Sequence, residues 1–251
     1  MGKVIPDEVL QSSTCEERVT LFRGLAVPQS DVERVCLELK TQGLQKTEGM
    51  HWGSTMASPS AIRGQASKFL SNHSTIRENI SEMPQEHVIC GCGDEFGATH
   101  YAASYSRSDE RRHGIMVTYS MTLSDLAVDG KDFLYTVFQL WDRNQTHHRE
   151  TVRDVLEIIY GKAILDYFDT AAEMKDTIER VGICDLACVD LEVVRQHHRN
   201  RLLIHGRYHT RFFSAFQMQA PVPSQQIISV APAQVLPEPL GGYITYSALV
   251  P

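Results

Sequence analysis

Apolar positions first recur with a period of two between Arg18 and Arg23, where Val19 and Leu21 alternate with more polar neighbours, and this predicts a short strand. Helical spacing follows. Val32, Val35, Cys36 and Leu39 fall on one face, Ser30 and Glu33 have the spacing of a capping box, and Gly43 suits the residue after a helix end. Residues 44 to 60 lose periodicity and are rich in Gly, Ser, Thr and Met around His51-Trp52, which predicts a loop of functional length. A helix is expected from Pro59 to Leu70 and a strand over His87–Cys90. Asp94 is placed to cap a helix running through Phe96, Ala98, Tyr101 and Ala102, and Ile115–Met121 reads as a further strand.

Beyond this, Asp129-Gly130 signals a turn between apolar segments. Residues 149 to 180 are expected to be helical, with Val152, Val155, Leu156 and Ile159 on one face and a second helix around Met174–Val181. Strands are expected again at Leu202–His205, Phe212–Met218, Ile227–Val230 and Tyr243–Tyr246. Pro221, Pro223, Pro232, Pro237 and Pro239 assign that last third to edges and loops. With no internal repeat and no evident linker, the pattern predicts one mixed α+β domain over residues 1–251.

Composition narrows the function. A chain of 251 residues with 42% hydrophobic content can bury a substantial core, and a net charge of -7 disfavours a protein that coats nucleic acid with its whole surface. The six cysteines, Cys15, Cys36, Cys90, Cys92, Cys184 and Cys188, form no dense framework and read as reduced thiols. The first residues lack the pattern of a secretory signal, and Pro6 stands where a myristoylation motif needs Ser or Thr. No apolar run approaches the roughly 18 residues that cross a bilayer, so the cytoplasm is the expected compartment and no membrane partner is expected.

The candidate chemistry begins at Leu21-Phe22-Arg23-Gly24-Leu25. An arginine ending an apolar strand, beside a glycine that admits close backbone approach, suits an anionic, ring-bearing molecule; the alternative is an ordinary surface arginine. A second constellation runs from Arg195 through His197, His198, Arg199, Arg201, His205, Arg207 and His209 to Arg211 with no acid in the span. Arg199, Arg201, Arg207, Tyr208 and Arg211 can form a local phosphate-binding surface, with Tyr208, Phe212 and Phe213 available to stack a base. The competing reading is a solvated helix end followed by a core strand. Cys90-x-Cys92, Cys184-x₃-Cys188, His147-His148 and His205-x₃-His209 supply metal-ligand types without zinc-site spacing, so no metal is expected.

In their order, LFRGL, a helix closing on GL, CGDEFGATHYAASYS and GIMVTYSMTLSDLAVDGKDFLY resemble the first half of the ADP-ribosyltransferase superfamily, over roughly residues 18 to 140. The resemblance implies an ADP-ribosyltransferase-like split β-sandwich with flanking helices and NAD+ as co-substrate. Within the superfamily the chain looks most like intracellular toxins of toxin-antitoxin or phage-defence systems. That likeness implies a nucleic-acid target, mRNA ahead of DNA, a neutralising antitoxin and in some systems a chaperone. Transfer to protein is a further option, and a non-catalytic RNA-binding module on the same scaffold is the alternative from a different class.

By this resemblance Arg23 would pair with NAD+ phosphates or ribose, with Gly24 beside it, and Tyr101 would stack on nicotinamide or pack its helix into the core. His51 and Trp52 would cover the adenine or the target base, or simply anchor their loop. The family places a Glu on a late strand, and here the chain departs from it. SAFQMQAPVPSQQIISV carries Gln217, Gln219, Gln225 and Gln226, and the only later acid is Glu238. Three explanations compete: Glu238 swings in, a Gln such as Gln217 positions NAD+ with the base supplied elsewhere, or a catalytic Glu has been changed to Gln so that a toxic protein can be expressed.

Overall fold

The alternation that starts at Val19 runs on to Pro28, so the first strand, β1 (Arg18–Pro28), has 11 residues and does not stop at Arg23. The computed structural model describes residues 17–45, 55–104, 112–130, 133–140, 149–201, 203–205, 211–212, 214–233 and 243–245. After β1 come α1 (Val32–Gln42), β2 (Thr55–Ala57), α2 (Pro59–Gly64), α3 (Ala66–Leu70), α4 (Ile76–Glu82), β3 (Gln85–Cys92), α5 (Glu95–Ser104), β4 (Arg112–Thr122) and β5 (Leu126–Val128). A helical run follows: α6 (Phe133–Leu140), α7 (Arg149–Tyr160), α8 (Ala163–Ala172), α9 (Thr177–Val189) and α10 (Leu191–Asn200). Last are β6 (Leu203–His205), β7 (Arg211–Phe212), β8 (Ala215–Gln219), β9 (Ile227–Pro232) and β10 (Tyr243–Thr245).

The architecture is mixed α+β. A sheet in the order β5-β8-β3-β1-β4-β9, with β2 added beside β3, is antiparallel throughout. A separate three-stranded sheet, β10-β6-β7, contains a parallel pair, β10 with β6. β9 is an edge strand, as its terminal Pro232 requires, and Ile228 is its extra residue where the register with β4 shifts between Thr118 and Tyr119. One face of the large sheet, carrying Leu21, Ile89, Val117, Tyr119, Phe216 and Met218, is buried with residues of α1, α2 and α6–α10 in one continuous core. α5 lies on the other face, where Ala98 joins Cys92, Met116 and Phe22 in a smaller cluster.

Several local expectations are refined. The capping box at Ser30 is not made: Ser30 Oγ bonds Asp31 Oδ1, and Asp31 itself takes the N-cap position without a side-chain cap bond. Gly43 ends α1 as expected, at φ +79° with its N–H on Leu39 O. The helix expected over Pro59–Leu70 is broken in two at Gln65. Asp94 does cap α5, accepting from Phe96 N at 2.8 Å. Among the described residues no helix is long and apolar enough to cross a membrane.

α7 and α8 are tied by a charge cluster. Arg149 Nη2 donates to Asp169 Oδ1 at 2.9 Å, and Arg153 Nη1 bonds Asp169 Oδ2. Burial works against ionisation of Asp169, but the two guanidinium groups outweigh it and hold its carboxyl below the usual range. A depressed carboxyl stabilises the fold above its unfolded pKa, about 3.9, and that contribution is lost as pH falls through the lower folded value. Asp169→Asn should therefore cost about 1–3 kcal/mol at pH 7 in urea unfolding, with the gap to the wild type closing in acid. A gap independent of pH would remove this assignment.

Candidate functional site

The large sheet has two halves, β5-β8-β3 with β2 beside β3, and β1-β4-β9, and the seam between them is nearly open. β1 pairs with β4 along its whole length, from Arg18 opposite Thr122 to Pro28 opposite Arg112, yet it meets β3 only where Phe22 faces Cys92 among the described residues. His87 O and Gly93 N bond towards β8, to Ala220 N and Ser214 O. Strand alternation then turns the backbone groups of Val88, Cys90 and Cys92 towards β1. Cys92 finds Phe22, but at Cys90 the two strands have parted. Arg23 fills the gap: its Nη1 donates to the Cys90 carbonyl, the acceptor that the β1 backbone has left behind. On the other side of the Phe22 pair, His198 Nε2 donates to Thr20 O at 2.9 Å. Burial of His198 lowers its pKa from the ordinary imidazole value.

Arg23 leaves β1 on the core face, in line with Val19 and Leu21, and its half-buried guanidinium reaches the level of the strands. Next to it lies Tyr119, fully buried, with no hydrogen-bond partner for Oη among the described residues. Burial pushes the phenol up and the Arg23 charge pulls against it. Room for the hydroxyl comes from Gly91, where a Cβ would lie 1.9 Å from Tyr119 Oη and 3.1 Å from Cζ. Gly91→Ala should lose about 1–3 kcal/mol by overpacking. Adding Tyr119→Phe should recover most of that loss, because the offending atom is gone and an unpartnered buried hydroxyl is removed with it. A thermal melt of the double variant no higher than that of Gly91→Ala would contradict this packing.

The close approach expected at Gly24 is made by a helix. A Cβ on Gly24 would lie 1.9 Å from Ala98 O and 2.7 Å from Ala102 N, so the missing side chain seats α5 on β1. Ala98 and Ala102 make the core contacts of α5, and Tyr101 stands 36% exposed with its ring edge-on to His100 at 5.9 Å.

Across β3 from Arg23 is Gln217. It is the register partner of Cys90, so Arg23 and Gln217 flank the same residue of β3 from opposite sides. Gln217 shares its face of β8 with Gln219, opposite the face of Phe216 and Met218. Gln217 Nε2 donates to Asp129 Oδ1 at 3.2 Å, and the Asp129 backbone N–H bonds Ala215 O at 2.9 Å, fixing the acid beside β8. Both side chains are half-buried. Sequence reasoning missed Asp129 and Tyr119: an Asp-Gly turn and a tyrosine in a strand carry no special pattern. The glycine between Cys90 and Cys92 was a usable signal of close approach. Gln225 and Gln226 lie away from this group, in the turn Ser224–Gln226 before β9.

The basic constellation is divided by α10. His197 and His198 are buried, His197 between Tyr160 and Phe216 with ring centroids 4.7 and 5.0 Å away. Arg195 is paired with Glu17 at 2.8 Å and Glu192 at 2.5 Å, and the exposed Arg199 lies 3.7 Å from Glu17. Acids from outside the span thus neutralise part of it. Arg201 closes α10 at φ +48°, and Arg211 opens β7. His51, Trp52, Arg207, Tyr208 and Glu238 lie outside the described residues. Cys184 and Cys188 are buried one helical turn apart on α9, and no group of three metal-ligating side chains is present among the described residues.

The chain matches no family model, no curated protein and no solved structure. What the site can do must be argued from its chemistry. A guanidinium in a sheet gap offers forked donors for phosphate or ribose oxygens, while the carboxamide of Gln217 lies on the opposite face of the sheet.

Proposed function

We propose that this chain is an NAD+-dependent ADP-ribosyltransferase that modifies nucleic acid, RNA ahead of DNA, as a cytoplasmic toxin restrained by an antitoxin and, in some settings, a chaperone. The observation that carries the reading is the seam itself: two sheet halves joined at one residue pair, with Arg23 in the gap. An opening of this kind in the middle of a sheet is what a split β-sandwich needs in order to bind a dinucleotide, and it supports the fold that the sequence resembles. Arg23 would hold phosphate or ribose at the gap.

For the nucleic-acid target, the support is Arg199 and Arg201 at the end of α10, next to the chain that leads through Arg207 and Tyr208 to Arg211. A second reading, a non-catalytic RNA-binding module, is favoured by the carboxamides at Gln217 and Gln219 where the resembled family has an acid; transfer to protein shares the fold and differs in the target. The test is incubation with labelled NAD+ and, separately, single-stranded RNA, single-stranded DNA and cell protein. ADP-ribose on RNA, reduced about 100-fold or more by Arg23→Ala, is the expected result. Absence of label on every target, with RNA still retained, would leave the binding module.

A further inference from the structure

We infer that His198 is the general base of the transfer, taking through Nδ1 the proton that the target nucleophile loses as it bonds to ribose. The inference rests on the transferase reading and supplies a base where that reading has no late-strand acid.

Two elements place the imidazole. α10 carries it over the core face of the large sheet, where its ring centroid lies 6.0 Å from that of Phe216 and its Cδ2 would lie 3.6 Å from a Cβ on Gly93. The Thr20 carbonyl then fixes the tautomer: a carbonyl only accepts, so Nε2, 2.9 Å from it, carries the hydrogen. In the uncharged ring Nδ1 is left as the acceptor. It has no hydrogen-bond partner among the described residues and, unlike both ring nitrogens of His197, is not fully enclosed. Burial lowers the pKa of the ring, the bond to Thr20 opposes this, Arg201 and His197 add to it, and Glu17, in the chain before β1, opposes it. The net direction is downward, which favours the uncharged form that a base requires.

His198 shares its face of the sheet and its seam with Arg23. The two stand on either side of the Phe22 rung, at Thr20 and at Cys90, about three strand residues or 10 Å apart. A dinucleotide with a phosphate on Arg23 can therefore run its ribose along the seam towards the imidazole. The residues that follow His198 lead away from the seam to the basic end of α10, where Arg199 is exposed and Arg201 closes the helix. His198 is thus the titratable group between the gap proposed for NAD+ and the surface proposed for RNA.

In the reaction, the bond between ribose C1′ and the nicotinamide nitrogen breaks, and its electron pair leaves with the ring as neutral nicotinamide. The target's oxygen or nitrogen forms the new bond to C1′ and gives its proton to His198 Nδ1. The imidazolium that results keeps Nε2–H on Thr20 O and returns the proton to water. A base is needed only by a nucleophile that must shed a proton, so the acceptor on RNA is a hydroxyl or amino group and not a ring nitrogen with its lone pair already exposed.

His198→Gln is the discriminating variant, because a carboxamide NH₂ can keep the bond to Thr20 O while no basic nitrogen remains. It should hold the thermal midpoint and the NAD+ affinity, by calorimetry, near the wild type and lower kcat for ADP-ribose transfer to single-stranded RNA about 100-fold or more. The wild-type rate should rise with pH through a step below the ordinary imidazole value of about 6.5 and then level off, and the residual rate of the variant should lack that step. The wild-type profile needs no substitution, so it decides the matter even if the variant does not fold. A wild-type rate that is flat from about pH 5 to 7, a variant as fast as the wild type, or a slow variant that keeps the acid step overturns the inference and leaves the transferase reading in place. A wild type that labels no RNA, DNA or protein removes both together.

Discussion

Gly24→Ala should destabilise the chain by about 3 kcal/mol or more, at the upper end of overpacking effects. A new Cβ at Gly24 meets the Ala98 carbonyl at 1.9 Å and the Ala102 nitrogen at 2.7 Å, and both atoms belong to the α5 backbone. A side-chain tip could rotate away, but a helix backbone has to move as a body. Lifting α5 would also expose the cluster of Ala98, Cys92 and Met116 and part its contact with Gly114, where a Cβ would already lie 3.3 Å from that of Ala102. Urea unfolding measures the loss. The matched control is Gly64→Ala, at a helical glycine with nothing within 4 Å of the added carbon, which should be neutral or stabilising by up to about 1 kcal/mol. Equal midpoints for Gly24→Ala and the wild type would refute the seating of α5 described above.

Arg63→Met should cost about 2–4 kcal/mol, although it preserves most of the apolar stem. Arg63 is 7% exposed, and its guanidinium donates to Val189 O at 2.6 Å through Nη1 and to Ser124 O through Nη2. One side chain on α2 therefore closes the C-terminal end of α9 and the turn between β4 and β5. Removing it leaves carbonyl groups in a buried setting that a thioether cannot satisfy. Arg63→Lys should fall between, because an ammonium keeps the charge but cannot reproduce two fixed, diverging donors. A methionine variant with wild-type stability would mean that water replaces the guanidinium at no cost.

The elements that periodicity could find were those whose partner surface lies along their own face. α1, β3, α5 and β4 follow from alternation or helical spacing, and Asp94 and Gly43 mark ends by local chemistry. α10 was harder to read, because its histidines look like surface or ligand residues until Tyr160 and Phe216 are seen to enclose His197. The same holds for charge. The span from Arg195 to Arg211 has no acid of its own, but Glu17, 178 residues from Arg195 along the chain, is folded against it. At the site, the importance of Arg23 was legible in LFRG, while its setting was not. That setting depends on where β1 and β3 part, which the motif alone does not display. The Asp129–Gln217 contact spans 88 residues and is equally invisible to a local pattern.

Among the described residues the backbone ladder between the halves of the large sheet is a single rung, Phe22 with Cys92. Amides along β1 then belong to different protection classes. Those that face β4 should exchange with deuterium slowly, whereas the N–H of Gly24, which alternation turns into the gap, should exchange faster. A molecule held in the gap links one half of the sheet to the other, so its arrival should slow exchange at Gly24 and Val88 while the β4–β9 ladder stays as it was.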